Sequence, residues 1–459
     1  MRIPYKKQAG QIVLTVALSA IALVAAVGLA IDSGMGYLVK AKLNAAVDSA
    51  SLAAARAVTQ GSTDEAQAAS ARQSAREFFD INYPANYLMS TPVLKPVVVT
   101  FDKVEKGKIT IDVSATASLP VSLMGVLGFK TLDVSASAQT IRKDLDMVLV
   151  MDTSGSLSGN AAAVKASGKS FLNKFNSTAD RVGLLHFARG AQIDTAIKPY
   201  DRGFDRVATA AAIDKLSFVG GTNSAEGMWQ ARDQLNSIAQ ANRSSLRVIV
   251  FFSDGAASAF SSYFFPTTTG NCKLPGSLTT PGANPNGGNA LLGLYRIDQA
   301  SADLSSGSNC DATDLKNVDL PLWYNAHNPV AKANDASLQE FPIVTNSPRV
   351  VTKDLSTSSR AWININRASR NLAESMAAKA RQEGIVVFTL GMGAALASQE
   401  GPDPETGEDL LRCMANTSDA LARCRKPKEP VGLYCYAATE SDLSPCFTRL
   451  ASAILRISK

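Results

Sequence analysis

The sequence predicts an α/β protein whose larger part is a doubly wound, mostly parallel sheet, preceded by a membrane-spanning helix and a small α+β module. Three observations carry this. Near-continuous apolar strands alternate with amphipathic helices after Lys143, an uncharged apolar run lies near the N-terminus, and short alternating segments fill the stretch between them. At 459 residues and 46% hydrophobic content the chain can build at least one sizeable core.

Gln11 to Ile31 reads "QIVLTVALSAIALVAAVGLAI", about 20 uncharged residues, enough to cross a bilayer core as a helix. Arg2, Lys6 and Lys7 precede it and Asp32 follows, which favours a cytoplasmic N-terminus and an exported remainder; Lys40 and Lys42 make the asymmetry modest. A signal peptide cleaved after "GLA" at Ala30 is the competing reading, against which stands an apolar core longer than the usual signal core. The organisation expected is a tail and anchor over 1–31, an extended helical stalk over 32–83, a strand-rich module over 84–142, and the α/β domain over 143–459. In the stalk, Leu38, Ala41, Ala45, Leu52 and Ala55 recur on one face, a pattern of helix packing or of plain helix propensity. In the module, residues 96–102, 108–117 and 132–141 alternate as strands.

The α/β domain opens with "DMVLVMD", an apolar strand ending at Asp152. A helix over 160–175 leads to the strand "RVGLLHF" at 181–187, whose His186 reads as a core histidine. A helix over 224–240 precedes the strand "RVIVFFSDG" at 247–255. Another, over 364–383 and stopped by Gly384, precedes "IVVFTLGMG" at 385–393. Two stretches interrupt the alternation as insertions, near 256–360 and 394–430; the first is rich in Gly, Pro, Ser and Asn, and the two cystine-bearing insertions are expected to form a lid or recognition surface beside the strand ends, with a tolerated surface insertion as the alternative. All six cysteines fall between Cys272 and Cys446, with no C-x-x-C pair, as expected of disulfides in an exported protein. Fifteen pairings are open, with Cys272–Cys310 expected because both lie in the first insertion.

Net charge is +6, but basic residues are dispersed among acids, without the stripe that nucleic-acid binding needs. The two histidines, His186 and His327, lack a second ligand at zinc spacing. Polar residues at the strand ends suggest different chemistry. Alternate side chains of an extended turn point the same way, so Asp152, Ser154 and Ser156 of "DTSGS" can present a carboxylate and two hydroxyls to one point. Thr222 of "GGTN" and Asp254 of "SDG" add oxygens from neighbouring strand ends, where open α/β sheets bind ligands. Such hard oxygens with few carboxylates suit Mg²⁺, and Mn²⁺ would fit the same set.

Together these residues resemble the von Willebrand factor A domain and its metal-ion-dependent adhesion site, a Rossmann-like fold, over Asp144 to Lys459. The resemblance implies that Ser154, Ser156 and Thr222 bind the ion, that Asp152 and Asp254 act directly or through water, and that an open position takes a Glu or Asp carboxylate of a protein partner. The tail, the span and the segments at 28–57 and 113–138 resemble the TadG-like proteins of tight-adherence (Flp) pilus systems. That implies an envelope-anchored pilus-assembly or adhesion protein whose partners are pilus components and whose domain is periplasmic or surface-exposed. Thr15 stands five residues after Gly10, where a pilin processing signal wants glutamate, so prepilin processing is not implied.

Other matches carry less. "AVKASGKS" at 163–170 fits a loose phosphate-loop pattern but falls inside an amphipathic helix. "DPETGED" at 403–409 misses the spacing of a calcium loop. With no G-x-S-x-G and two histidines, a Ser-His-Asp triad lacks support, and the site is expected to be non-catalytic. A scaffold using the same domain without adhesion is the alternative, and a metal-dependent hydrolase, which would need a general base, the third reading.

Overall fold

The apolar run and the alanine-rich segment after it form one helix, α1 (Ala9–Ala57), with no proline to break it. The structure is a computed structural model that describes residues 9–58, 63–102, 108–255, 257–264, 274–304, 310, 315, 319–327, 339–399 and 401–457. Chain contacts divide it into two compact units, Met1–Arg142 and Lys143–Ser458.

In the first unit, α1 is long and apolar enough to cross a membrane, and its side chains from Ile12 to Val24 are exposed. Thr63 accepts a hydrogen bond from the Ala66 N–H and starts α2 (Asp64–Asn82), which folds back so that the Asn82 amide donates to Ser49 Oγ at 3.0 Å. Four strands follow: β1 (Thr91–Leu94), β2 (Val98–Phe101), β3 (Lys108–Pro120) and β4 (Thr131–Lys143). β3 pairs antiparallel with β1 and β2 and also carries β4. Its inward positions, Ile109, Ile111, Val113, Ala115, Ala117 and Leu119, join Val39, Leu43, Val47 and Phe79 of the helices in one core. The expected extended stalk over 32–83 is thereby corrected: the helical pair and the strands are one α+β unit, because the apolar face of α1 is buried against α2 and β3. β1 is an element that the alternation did not reveal.

The second unit begins with β5 (Leu145–Asp152), α3 (Ala161–Leu172), β6 (Arg181–Phe187), β7 (Ala191–Thr195), α4 (Arg206–Asp214), α5 (Ser224–Asn236) and β8 (Leu246–Ser253). β9 (Ala259–Tyr263), β10 (Pro275–Thr279) and β11 (Leu294–Tyr295) lie in the first insertion. α6 (Ser358–Gln382), β12 (Ile385–Met392), α7 (Gly407–Ala415), β13 (Tyr434–Ala437) and α8 (Glu440–Ile457) complete it. The main sheet has the order β13-β12-β8-β5-β6-β7, parallel except for the antiparallel edge strand β7. One face packs on Met228, Leu235, Leu372 and Met376 of α5 and α6, the other on Phe171 of α3 and Phe447 and Leu450 of α8. Since the chain leaves β5 for β6 on one side and reaches β8 on the other, the strand order reverses at β5.

Two expectations change here. α6 starts at Ser358, earlier than its apolar period suggests, because Thr357 caps it by accepting from the Arg360 N–H. Residues 394–430 are not a plain insertion: they contain α7, which carries the chain across from β12 to the parallel β13. The first insertion builds its own antiparallel sheet, in which Phe260, Leu278 and Leu294 are buried in the core shared with α5 and α6. Cys413–Cys424 and Cys435–Cys446 are disulfides with Cα atoms 5.1 and 5.7 Å apart. Cys310 is also disulfide-bonded, whereas Cys272, its expected partner, lies outside the described residues.

Candidate metal centre

Strand register brings the first two groups together. Met151 of β5 lies opposite Phe252 of β8, so Asp152 and the pair Ser253–Asp254 leave the sheet side by side. Past β5 the Ser154 N–H donates to Asp152 Oδ1 at 2.7 Å, a two-residue turn closed by the side chain, and a 3₁₀ turn over 155–160 follows. This bend sets the two serine hydroxyls 3.1 Å apart. Ser154 Oγ donates to Asp254 Oδ1 at 3.2 Å and Ser156 Oγ to the same oxygen at 3.1 Å. Three oxygens from two adjacent strand ends therefore converge in a small triangle. Ser154, Asp152 and Asp254 are buried, while Ser156 is exposed, so the cluster opens to solvent on that side.

Backbone hydrogen bonds carry the loop of Thr222 to the same strand ends: the Gly155 N–H donates to Gly220 O at 3.0 Å and the Val219 N–H to Thr153 O at 2.9 Å. Gly220 has φ of +94°, a conformation that favours glycine, and a Cβ there would lie 2.9 Å from Arg189 Cγ. Arg189 in turn stacks its guanidinium 4.2 Å from the Tyr295 ring of the insertion.

Burial pushes the Asp152 carboxyl up to about 6, against the hydrogen bonds of Ser253, Ser154 and the Asp254 amide, which favour the ionised form. A cation would favour that form further. The donor set fits a small hard ion. Ligand oxygens about 2.0–2.1 Å from a common centre and at right angles lie roughly 2.8–3.0 Å apart, so the observed triangle needs to tighten by only a few tenths of an ångström. Two carboxylates among hydroxyls are few for a calcium cage and sufficient for Mg²⁺ or Mn²⁺.

Reasoning from the sequence missed the groups that hold this arrangement. Ser253 Oγ donates to Asp152 Oδ2 at 2.6 Å; its place just before Asp254 was the available signal. Asn223, next to Thr222, caps α5 and donates from Nδ2 to Ser261 Oγ at 3.0 Å and Ser277 Oγ at 2.9 Å, tying the insertion to the loop. The Thr222 carbonyl accepts from the Ser258 and Ala259 amides. One turn into α5, buried Glu226 accepts from Tyr324 Oη at 2.9 Å and pairs with His327 Nε2 at 2.6 Å, and the His327 ring stacks on Trp229 with centroids 3.5 Å apart. Burial would raise the Glu226 carboxyl, but the charge of His327 and hydrogen bonds from His327, Ser261 and Tyr324 outweigh it and hold the group low. His186, expected in the core, is buried and has Nδ1 2.6 Å from Asp194 Oδ2.

Residues 10–57 match the family described as Flp pilus-assembly TadE/G-like, and residues 147–256 match the von Willebrand factor type A domain. The chain joins a TadE/G-like segment to a von Willebrand factor A domain. That domain fold is the doubly wound sheet described above. Among solved structures, the von Willebrand factor domain of the type V pili tip protein Mfa5 from Porphyromonas gingivalis is 15% identical and covers 70% of this chain and 98% of its own, with a TM-score of 0.38. The pilus adhesin SpaC from Lactobacillus rhamnosus GG, in its open conformation, is 14% identical over 82% of this chain and 37% of its own, with a TM-score of 0.39. Proximal thread matrix protein 1 from the mussel byssus, with a zinc-occupied MIDAS motif, is 12% identical over 68% of this chain and 46% of its own, with a TM-score of 0.33. No curated protein sequence matches. The TadE/G-like match and the N-terminal apolar helix together indicate a membrane-anchored envelope protein with protein partners in a pilus system.

Proposed function

We propose that this is a pilus-assembly and adhesion protein in which Asp152, Ser154, Ser156, Thr222 and Asp254 hold Mg²⁺ or Mn²⁺ and offer it to a Glu or Asp carboxylate of a protein partner. The observation that carries this is the triangle of Ser154, Ser156 and Asp254 oxygens, 3.1–3.2 Å on each side, beside buried Asp152 at the reversal of strand order. A bound cation supplies the attraction for an anionic ligand. The chain's own groups do the rest: the Ser154 amide and Ser253 hydroxyl orient Asp152, Asp254 aligns both serines, and exposed Ser156 marks the side from which a partner approaches. Recognition is favoured over catalysis because both carboxylates of the site are taken up as ligands or by hydrogen bonds and no histidine is among its five groups to act as a general base.

The domain works in the bacterial envelope, periplasmic or at the surface, on a single inner-membrane span; basic residues before the span and cystines in the domain support that orientation. The insertion, fastened to the Thr222 loop through Asn223, sets partner choice. With the full chain in detergent, capture of Flp pilus subunits in Mg²⁺ is expected to fail in EDTA, to return with Mg²⁺, and to be absent in Asp152→Ala with unchanged circular dichroism. Capture that ignores EDTA would point to a metal-independent scaffold. Leu292→Asp, at an exposed site of the insertion, is expected to weaken capture without changing cation binding; full capture would remove the insertion from recognition.

A further inference from the structure

In the first unit the packed face of α1 begins within the membrane-crossing stretch. Gly28 is buried while Val27 and Leu29 are 52% and 51% exposed, and a Cβ at Gly28 would lie 2.6 Å from Leu123 Cβ. Burial recurs at Asp32, Gly36, Val39 and Leu43, one helical face. Gly28 comes three residues before the end of the uncharged run at Ile31, or about 4.5 Å along the helix. The loop between β3 and β4 thus meets α1 within the uncharged run itself.

The composition and hydrogen bonding of the loop suit that depth. Residues 121–129 read "VSLMGVLGF", with Ser122 as the one polar side chain, and Phe129 is 53% exposed. Asp32, buried at the end of the span, accepts from the Ser122 N–H at 3.1 Å, the Leu123 N–H at 3.0 Å and the Met124 N–H at 2.7 Å. The Val121 N–H donates to Lys130 O and the Gly128 N–H to Gly125 O. Where water is scarce, backbone donors must find partners within the protein, and a carboxylate needs compensation of the same kind. Asp32 and the loop amides meet both needs at once. Lys130, exposed just after the loop, suits the headgroup level.

We propose that the β3–β4 loop, Val121–Phe129, is a second membrane contact, entering the headgroup–acyl boundary beside α1 with exposed Phe129 towards lipid. This rests on the reading of α1 as a membrane span. Two points of contact, span and loop, seat the module on the bilayer in a fixed orientation in place of a swivelling tether.

The test uses full-length protein in phosphatidylethanolamine–phosphatidylglycerol vesicles, with p-benzoylphenylalanine replacing Leu18, Phe129 or Val98 in turn. Leu18 is exposed on the span, and Val98, exposed on β2, pairs opposite Asp112, eight residues or about 26 Å of strand from Pro120. After irradiation, mass spectrometry is expected to find lipid adducts at 18 and 129 and a loss to the dark background at 98. Adducts at 18 with none at 129 would overturn the loop contact and leave the span standing. Their absence at both 18 and 129 would overturn the span reading and the loop contact with it. Protein–protein adducts in place of lipid adducts at 129 would show that another chain covers the loop, and would also overturn the proposal.

Discussion

Asp254→Ala is expected to abolish divalent-cation binding while the domain stays folded. Asp254 Oδ1 is the oxygen on which both serine hydroxyls converge, and it comes from β8, the strand beside the one that delivers Asp152. Without it both hydroxyls lose the acceptor they share, and one of two anionic groups of the site is gone. Groups that merely orient a ligand change metal affinity about 10–100-fold, so losing this carboxylate should cost at least the upper end of that range. Folding should not suffer, because two buried carboxylates, Asp152 and Asp254, then become one. Titration calorimetry with Mg²⁺ on the full chain in detergent measures the first effect and thermal unfolding in EDTA the second. Asp254→Asn keeps an accepting oxygen without the charge and should fall between the two. Wild-type affinity in Asp254→Ala would exclude the residue from the site.

Glu226→Ala should have the largest effect on stability. Its carboxylate is fully buried and accepts from Tyr324, His327 and Gln230, so that one side chain of α5 fastens a segment about 100 residues away in sequence. Removing this acceptor leaves the buried Tyr324 hydroxyl and the His327 and Gln230 donors without it, and one buried donor left unsatisfied costs about 1–3 kcal/mol. Urea unfolding should show that loss, and limited proteolysis should cut first within the insertion; Glu226→Gln should lose less, because it retains hydrogen-bonding capacity. Acid acts on the same contact. The folded carboxyl is held below its ordinary value of 4.5, so its stabilisation is complete above about pH 4.5 and disappears as pH falls through the lower folded value. Wild type should therefore lose protease resistance in the insertion below pH 4.5, and Glu226→Gln should lack that step.

What the sequence made legible was local. β5 is buried at every position and apolar from Met147 to Met151 because it is covered on both faces, and its polar ending gives away the sheet's carboxyl edge. β3 alternates because it has one core face. The five candidate ligands stand out because each lies next to a strand or helix end. Harder cases had physical reasons. The stripe expected on α1 is not the face that packs: Leu38, Ala41, Ala45 and Leu52 are exposed, whereas Val39, Leu43, Ala46, Val47 and Ala50 are buried, and because alanines lie all round the helix its period did not single out the face that receives α2. α7 is only nine residues long and lies between Gly- and Pro-containing stretches, too short for its period to show. Glu226 and His327 are far apart in sequence and share no local pattern; only the docking of the insertion on α5 brings them together.

The central claim, that oxygens from three separate segments close around one small cation, is tested most directly by crystals of the full chain grown in Mn²⁺. An anomalous difference map should show one strong peak within coordination distance of Ser154 and Ser156, facing Thr222, Asp152 and Asp254, and the peak should vanish in Asp254→Ala. A map with no peak there at saturating Mn²⁺, or a peak that persists in the variant, would contradict the account.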